Sequence, residues 1–188
     1  MPFYSATFHI LNVGINLSEI MKKIILTLLF SIFFLIKTQG QNLVFIGEQS
    51  FPCTETFILK SNSTSERIDD LKIVFAKDEI KNLIVVSSKL VRTVRISGKL
   101  IIYLKDGNVI TCIDKEIKDN VDDVATTAYY LTNQEILKMK KSSIHSIRYK
   151  VKCEECYSNS LYEGNYSASN NESSSTDFTK ITQDFFKD

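Results

Sequence analysis

Between Leu43 and Val151 the chain runs in short apolar stretches rich in Ile, Val, Phe, Tyr and Thr, divided by polar turns. That periodicity of two belongs to strands. It predicts strands over Leu43–Ile46, Thr54–Lys60, Leu71–Lys77, Leu83–Ser87, Leu90–Ile96, Lys99–Lys105, Val109–Asp114, Val124–Leu131 and Ser143–Val151. In Lys99–Lys105, Leu100, Ile102 and Leu104 share one face while Ile101 and Tyr103 share the other. A strand apolar on both faces belongs in the middle of its sheet. Asp106-Gly107 follows it, a dipeptide that supplies the positive φ angles of a tight two-residue hairpin turn.

Two segments change period. In Thr132-Asn133-Gln134-Glu135 the Thr132 hydroxyl can accept from the Glu135 amide while the Glu135 carboxylate reaches back, a capping box with Leu131 and Ile136 as hydrophobic staple. It predicts a helix over Asn133–Lys141. In the tail, Thr176–Lys187, the residues Phe178, Ile181 and Phe185 form one apolar stripe of an amphipathic helix suited to docking on a sheet. The Ser- and Asn-rich stretch from Tyr157 to Ser175 reads as a surface loop. The expected fold class is α+β and β-rich, with one or more antiparallel sheets of hairpins, a short capped helix and a C-terminal amphipathic helix.

Upstream of this pattern, Met21-Lys22-Lys23 leads into the apolar run Ile24–Ile36, which Lys37 ends. A charged start joined to so short an apolar run is a secretory signal peptide, because a membrane span needs about 20 apolar residues. Cleavage is expected after Gly40, with an uncleaved anchor as the alternative. Residues 1–20 fit no export signal and carry Glu19 ahead of the charged start, so Met21 is the expected initiator and 1–20 a mis-assigned extension. Residues 21–40 are then the signal peptide and 41–188 a single β-rich domain, exported to the periplasm or the extracellular space.

Charge narrows the partners. The chain has 23 Lys and Arg against 22 Asp and Glu, a formal net charge of +1. No basic excess exists to neutralise phosphates, so nucleic acid is not an expected partner. Nor is a stable membrane span expected once the signal is cleaved.

The segment Leu131–Tyr149 (LTNQEILKMKKSSIHSIRY), with a Lys-Asp-Gly hairpin before it and a short amphipathic tail helix after it, resembles small exported proteins of unknown function from Bacteroidetes-type bacteria. The Gln39-Gly40-Gln41 end of the leader is similar to exported proteins of the same bacteria. The motifs are structural, so the resemblance implies fold and compartment and carries no activity.

Catalytic side chains are scarce. His145 is the only histidine after Gly40, so a Ser-His-Asp or Cys-His hydrolase would have to use it as base. Alternation places it on one face with Ile147 and Tyr149, the setting of an ordinary sheet histidine. The sequence contains no Gly-x-Ser-x-Gly elbow, phosphate-cradling Gly loop or His-Glu-x-x-His zinc motif. No catalytic residue and no cofactor is expected.

Cysteines carry more information. Cys53, Cys112, Cys153 and Cys156 would meet an oxidising compartment after export, and Cys53 with Cys112 and Cys153 with Cys156 is the preferred pairing. Inert thiols, a metal site and a redox pair stay open. Cys153-Glu-Glu-Cys156 has the spacing of a redox or zinc half-site, yet it follows a strand, and its two glutamates would raise the thiol pKa values rather than lower them. The acidic runs Asp119–Asp123 and Asp69-Asp70 lack calcium-loop spacing and read as solvated turns. Tyr157, Tyr162 and Tyr166, set among Ser, Asn and Gly, could meet a protein or carbohydrate partner; packing on a sheet is the alternative. The expectation is therefore an exported, non-enzymatic binding or envelope accessory domain, with a thiol-redox or metal-binding protein built on Cys153 and Cys156 as the alternative.

Overall fold

The computed structural model describes residues 18, 21–26, 42–64, 68–90, 94–153, 162–170 and 175–187. The chain divides into two units, Met1–Gly40 and Gln41–Asp188. In the first, Ser18 and residues 21–26 are helical and exposed; the remainder of the expected leader lies outside the described residues. No described helix is long and apolar enough to cross a membrane.

The second unit is built from strands β1 (Asn42–Ile46), β2 (Gln49–Cys53), β3 (Phe57–Ser61), β4 (Leu71–Lys77), β5 (Asn82–Lys89), β6 (Val94–Leu104), β7 (Val109–Cys112), β8 (Asp114–Val121), β9 (Val124–Leu131), β10 (Ile144–Cys153) and β11 (Gly164–Ser169). Helix α1 (Asn133–Met139) lies between β9 and β10, and α2 (Phe178–Phe185) ends the chain. The strands form a sheet in the order β7-β6-β10-β11-β3-β4-β5-β9-β8, with β2 pairing β1 and β4 beside it. Its pairings are antiparallel. The fold class is thus the β-rich α+β arrangement that the pattern predicts.

The sheet curls until its ends meet. Thr127 Oγ1 of β9 donates to Ile96 O of β6 at 2.7 Å, and Asn120 Nδ2 of β8 donates to Val94 O at 3.0 Å. The result is a near-closed barrel, which leaves fewer strand edges open. Alternation along the strands then sorts side chains between two cores. Leu71, Ile73 and Phe75 of β4, Ile84 and Val86 of β5, and Ala125 and Tyr129 of β9 point into the barrel. The alternate residues Val74, Ala76, Leu83, Val85 and Ala128 point outward, where Ile46 and Phe51 of the β1–β2 hairpin cover them. That second layer explains why these strands are apolar on both faces.

Helix α2 adds Phe178 and Phe186 to the barrel core, and α1 adds Ile136 and Met139. Phe178 is fully buried and meets Phe57 and Phe75 edge-on at 5.5 and 6.2 Å; burying one such ring contributes about 2–3 kcal/mol. The buried stripe of α2 is Phe178, Thr182 and Phe186, with Ile181 and Phe185 half-buried beside it. It is rotated from the predicted stripe because Thr182 meets its own polarity locally, its hydroxyl donating to Phe178 O at 2.8 Å. The predicted capping box is present: Glu135 N donates to Thr132 Oγ1 and Thr132 N to Glu135 Oε2, at 3.3 and 2.7 Å.

Several local expectations are corrected. The predicted strands Leu90–Ile96 and Lys99–Lys105 are parts of one strand, β6, bent at a bulge where Gly98 takes φ 77°. Its N–H donates to Asp114 Oδ2 at 2.8 Å. The Asp106-Gly107 hairpin is a three-residue loop: Gly107 N donates to Leu104 O and Leu104 N to Asn108 O, and Gly107 holds the loop's positive φ of 86°. A type I turn closed by a left-handed glycine suits Asp-Gly as well as a two-residue turn does. The two-residue turn belongs to Asp122-Asp123, with φ 51° and 65° between the paired Val121 and Val124. Part of the expected Tyr157–Ser175 loop is β11, which fills the gap between β10 and β3. Strands β2 and β8 were not predicted either; β2 carries Pro52, and β8 is mostly charged.

Candidate functional site

Helix α1 springs from the end of β9, where Leu131 is paired with Asn82 at the start of β5. The carboxyl end of α2 docks against it through two cross-links. Lys140 Nζ donates to Phe186 O at 2.7 Å, and Gln183 Nε2 donates to Lys140 O at 2.8 Å. Between the helix ends and the β4–β5 turn a cleft of about 300 Å³ remains. Ile136, Leu137 and Phe186 give it apolar surface, Asn82 and Asn133 give it amides, and Lys77, Lys140 and Lys187 give it cations.

Each cation is held differently. Lys77 Nζ sits 5.3 and 5.9 Å from the ring centroids of Phe185 and Phe186, within cation–π range. Lys140 is tied to a backbone carbonyl, as above. Lys187 pairs with Asp184 at 2.9 Å, but both side chains are more than half exposed, so the pair contributes little. Among the described residues, no carboxylate lines the cleft. Small-ligand sites are concave and place a few polar groups beside apolar surface; here the exposed apolar surface is chiefly that of Leu137.

A second, shallower cleft is lined by Tyr103, Leu104, Lys105, Gly107, His145 and Ser146. Here strict alternation fails. Ile144 pairs with Leu104 and Ser146 with Tyr103, so His145 is the extra residue of a β-bulge. The bulge turns Ile144 and Ile147 inward and leaves His145 exposed, rather than on a face with Ile147 and Tyr149. Buried Asn170 fixes it: Asn170 N donates to His145 O at 2.9 Å and Asn170 Nδ2 to Ile144 O at 3.0 Å.

The other candidate residues are scattered. Cys53 and Cys112 are free thiols in different cores, Cys112 inside the barrel and Cys53 half-buried against the outer layer. The wall of the barrel stands between them, so the structure offers no Cys53–Cys112 bridge. Burial, aided by the negative charge of Glu135, pushes the Cys112 thiol up to about 12, and burial raises Cys53 as well. Neither is poised as a thiolate. Cys153 ends β10, its N–H donating to Glu163 Oε1 at 2.8 Å; Cys156 and Tyr157 lie outside the described residues.

Tyr162 and Tyr166 pack against the barrel core. Tyr166 stands opposite Tyr149 with ring centroids 6.0 Å apart, and its hydroxyl donates to Tyr162 O at 2.7 Å. The acidic runs are structural: Asp119 accepts from Gly47 N and Asn120 N, and Asp70 accepts from Ser61 N and pairs with Lys60. Among the described residues no group of three or more His, Cys, Asp or Glu is placed to hold a metal ion.

Sequence reasoning missed the lysine cleft, since Lys77, Asn82, Lys140 and Lys187 are ordinary surface residues when read along the chain. The one available signal was the tail helix, whose docking site decides where the cleft forms. Compared with protein-family models, curated proteins and solved structures, the chain matches none.

Proposed function

We propose that this protein is an exported, non-enzymatic domain that binds a partner in the bacterial envelope or outside the cell, and that the cleft between α1 and α2 is its contact site. The carrying observation is that cleft, where lysines and asparagines stand beside apolar surface with no carboxylate among the described residues that line it. The leader pattern of Met21–Gly40 supports export, and the near-neutral charge argues against nucleic acid. A carbohydrate or protein presenting negative groups fits such a lining.

The test is the intact mass of the protein recovered from its own exporting cell, measured natively and again after denaturation with thiol alkylation. A chain beginning at Gln41 and free of metal is the expected result. Bound metal, or Cys153 and Cys156 alkylating ahead of the other cysteines in the native protein, would favour a thiol-redox or metal-binding protein instead. A chain still carrying residues 21–40 and found in the cytoplasm would refute export.

A further inference from the structure

We infer that the α1–α2 cleft takes a hydroxylated organic anion, specifically a uronic-acid residue of an acidic carbohydrate; this rests on reading the cleft as the binding site. A uronate presents one carboxylate, a ring of hydroxyls and an apolar ring face. Lys77 and Lys140, Asn82 and Asn133 line one concave surface together with Leu137, which keeps 54% of its surface exposed, so the residue types that match those groups stand side by side. Its volume of about 300 Å³ lies at the small end of the range for small-ligand sites and admits a single sugar residue.

Charge and hydrogen bonding divide the work. Lysine ammonium groups are strong point donors to a carboxylate but give no planar readout, so they select for negative charge without fixing orientation. Amides both donate and accept, which is what neighbouring hydroxyls require. Lys77 is the informative cation. It extends from the end of β4 over the Phe185 and Phe186 rings, which position its head at the cleft. Lys140, in contrast, also holds the end of α2 through Phe186 O, and its removal would disturb packing as well as binding.

The experiment is calorimetric titration of the full protein with glucuronate, glucose and inorganic phosphate, on the wild type and on Lys77→Gln, Lys77→Arg and Lys89→Gln. Lys89 lies at the far end of β5 from Asn82 and serves as the control. Glucuronate should bind at least about ten-fold more tightly than glucose, the value of one retained ion pair. Lys77→Gln should weaken it about five- to ten-fold, with Lys77→Arg restoring most of the loss and Lys89→Gln changing nothing; unfolding curves of each variant show whether the fold is intact. Binding should weaken as salt rises from about 0.05 to 0.5 M.

Equal binding of glucose and glucuronate, or indifference to Lys77→Gln, would overturn the assignment. Phosphate binding as tightly as glucuronate would overturn the sugar and leave a simple anion site. Failure of all three probes, with the mass experiment still finding a chain that begins at Gln41, would refute the ligand class alone; a chain that keeps residues 21–40 in the cytoplasm would refute the parent reading.

Discussion

Asn170 is the residue through which the end of β11, the β10 bulge and the approach to α2 are joined. It is only 6% exposed. Its Nδ2 donates to Ile144 O at 3.0 Å and to Thr176 O at 2.9 Å, and its Oδ1 accepts from Thr176 N at 3.0 Å. Asn170→Ala removes all of these at once and leaves the Thr176 N–H without that acceptor. A buried hydrogen bond is worth about 1 kcal/mol net, and an orphaned group costs about 1–3 kcal/mol, so a loss of about 3 kcal/mol is expected. For a domain of this size that lowers the melting temperature by roughly 10 °C.

Asn170→Asp sharpens the test. Its carboxyl keeps the acceptor for Thr176 N but turns an oxygen toward the Ile144 and Thr176 carbonyls. Burial and the facing carbonyls disfavour the charged form, so the folded-state pKa is raised above its unfolded value of about 3.9. A raised acid contributes its stability below the unfolded pKa and loses it as pH climbs through the folded pKa. Relative to wild type at the same pH, Asn170→Asp should therefore be mild at about pH 4 and severe at about pH 7, whereas the Asn170→Ala deficit should not change. Urea denaturation followed by circular dichroism at both pH values reads this directly. A deficit under about 1 kcal/mol for Asn170→Ala, or one for Asn170→Asp that does not grow with pH, would refute the account.

Other consequences can be checked by the same means. The Tyr129 hydroxyl is buried without a hydrogen-bond partner among the described residues, so Tyr129→Phe should be neutral or stabilising by up to about 1 kcal/mol, and a loss in urea melts would refute that reading of the hydroxyl. Gly98 holds φ 77° in open space, so Gly98→Ala should cost about 1–2 kcal/mol from backbone strain alone, with Gly98→Asn losing less. Because Cys112 is raised from 9.0 to about 12, the unfolded chain ionises first and stability should fall as pH rises through that window. Cys112→Ala should flatten part of that alkaline limb, and mass spectrometry should find native Cys112 resistant to alkylation at mild alkaline pH while Cys53 reacts sooner.

Local sequence determined a good deal of this molecule. Leu71–Lys77 and Val124–Leu131 are strands over the predicted ranges, because alternating β-branched and aromatic residues have one stable way to bury both faces. The capped start of α1 was equally legible, since Thr132 and Glu135 satisfy each other within one turn. What escaped was whatever depends on distant partners. β8 is largely charged, and β11 is polar and small; neither carries the pattern of a strand, and each is one because neighbouring strands leave backbone donors and acceptors that need pairing.

The bulge at His145 reversed the face expected from alternation, since one extra residue moves every side chain beyond it to the other side of the sheet. Curling of the sheet put Cys53 and Cys112 on opposite sides of a wall that spacing along the chain could not reveal. The lysine cleft has the same origin. Lys77 and Lys140 are 63 positions apart, and they share a cleft because α2 packs its aromatic end between β4 and α1. Sequence alone determined the strand character of segments such as Leu71–Lys77 and the capped start of α1, which are properties of neighbours along the chain. Tertiary structure alone decided the cleft, because its lining residues are brought together by the burial of other residues.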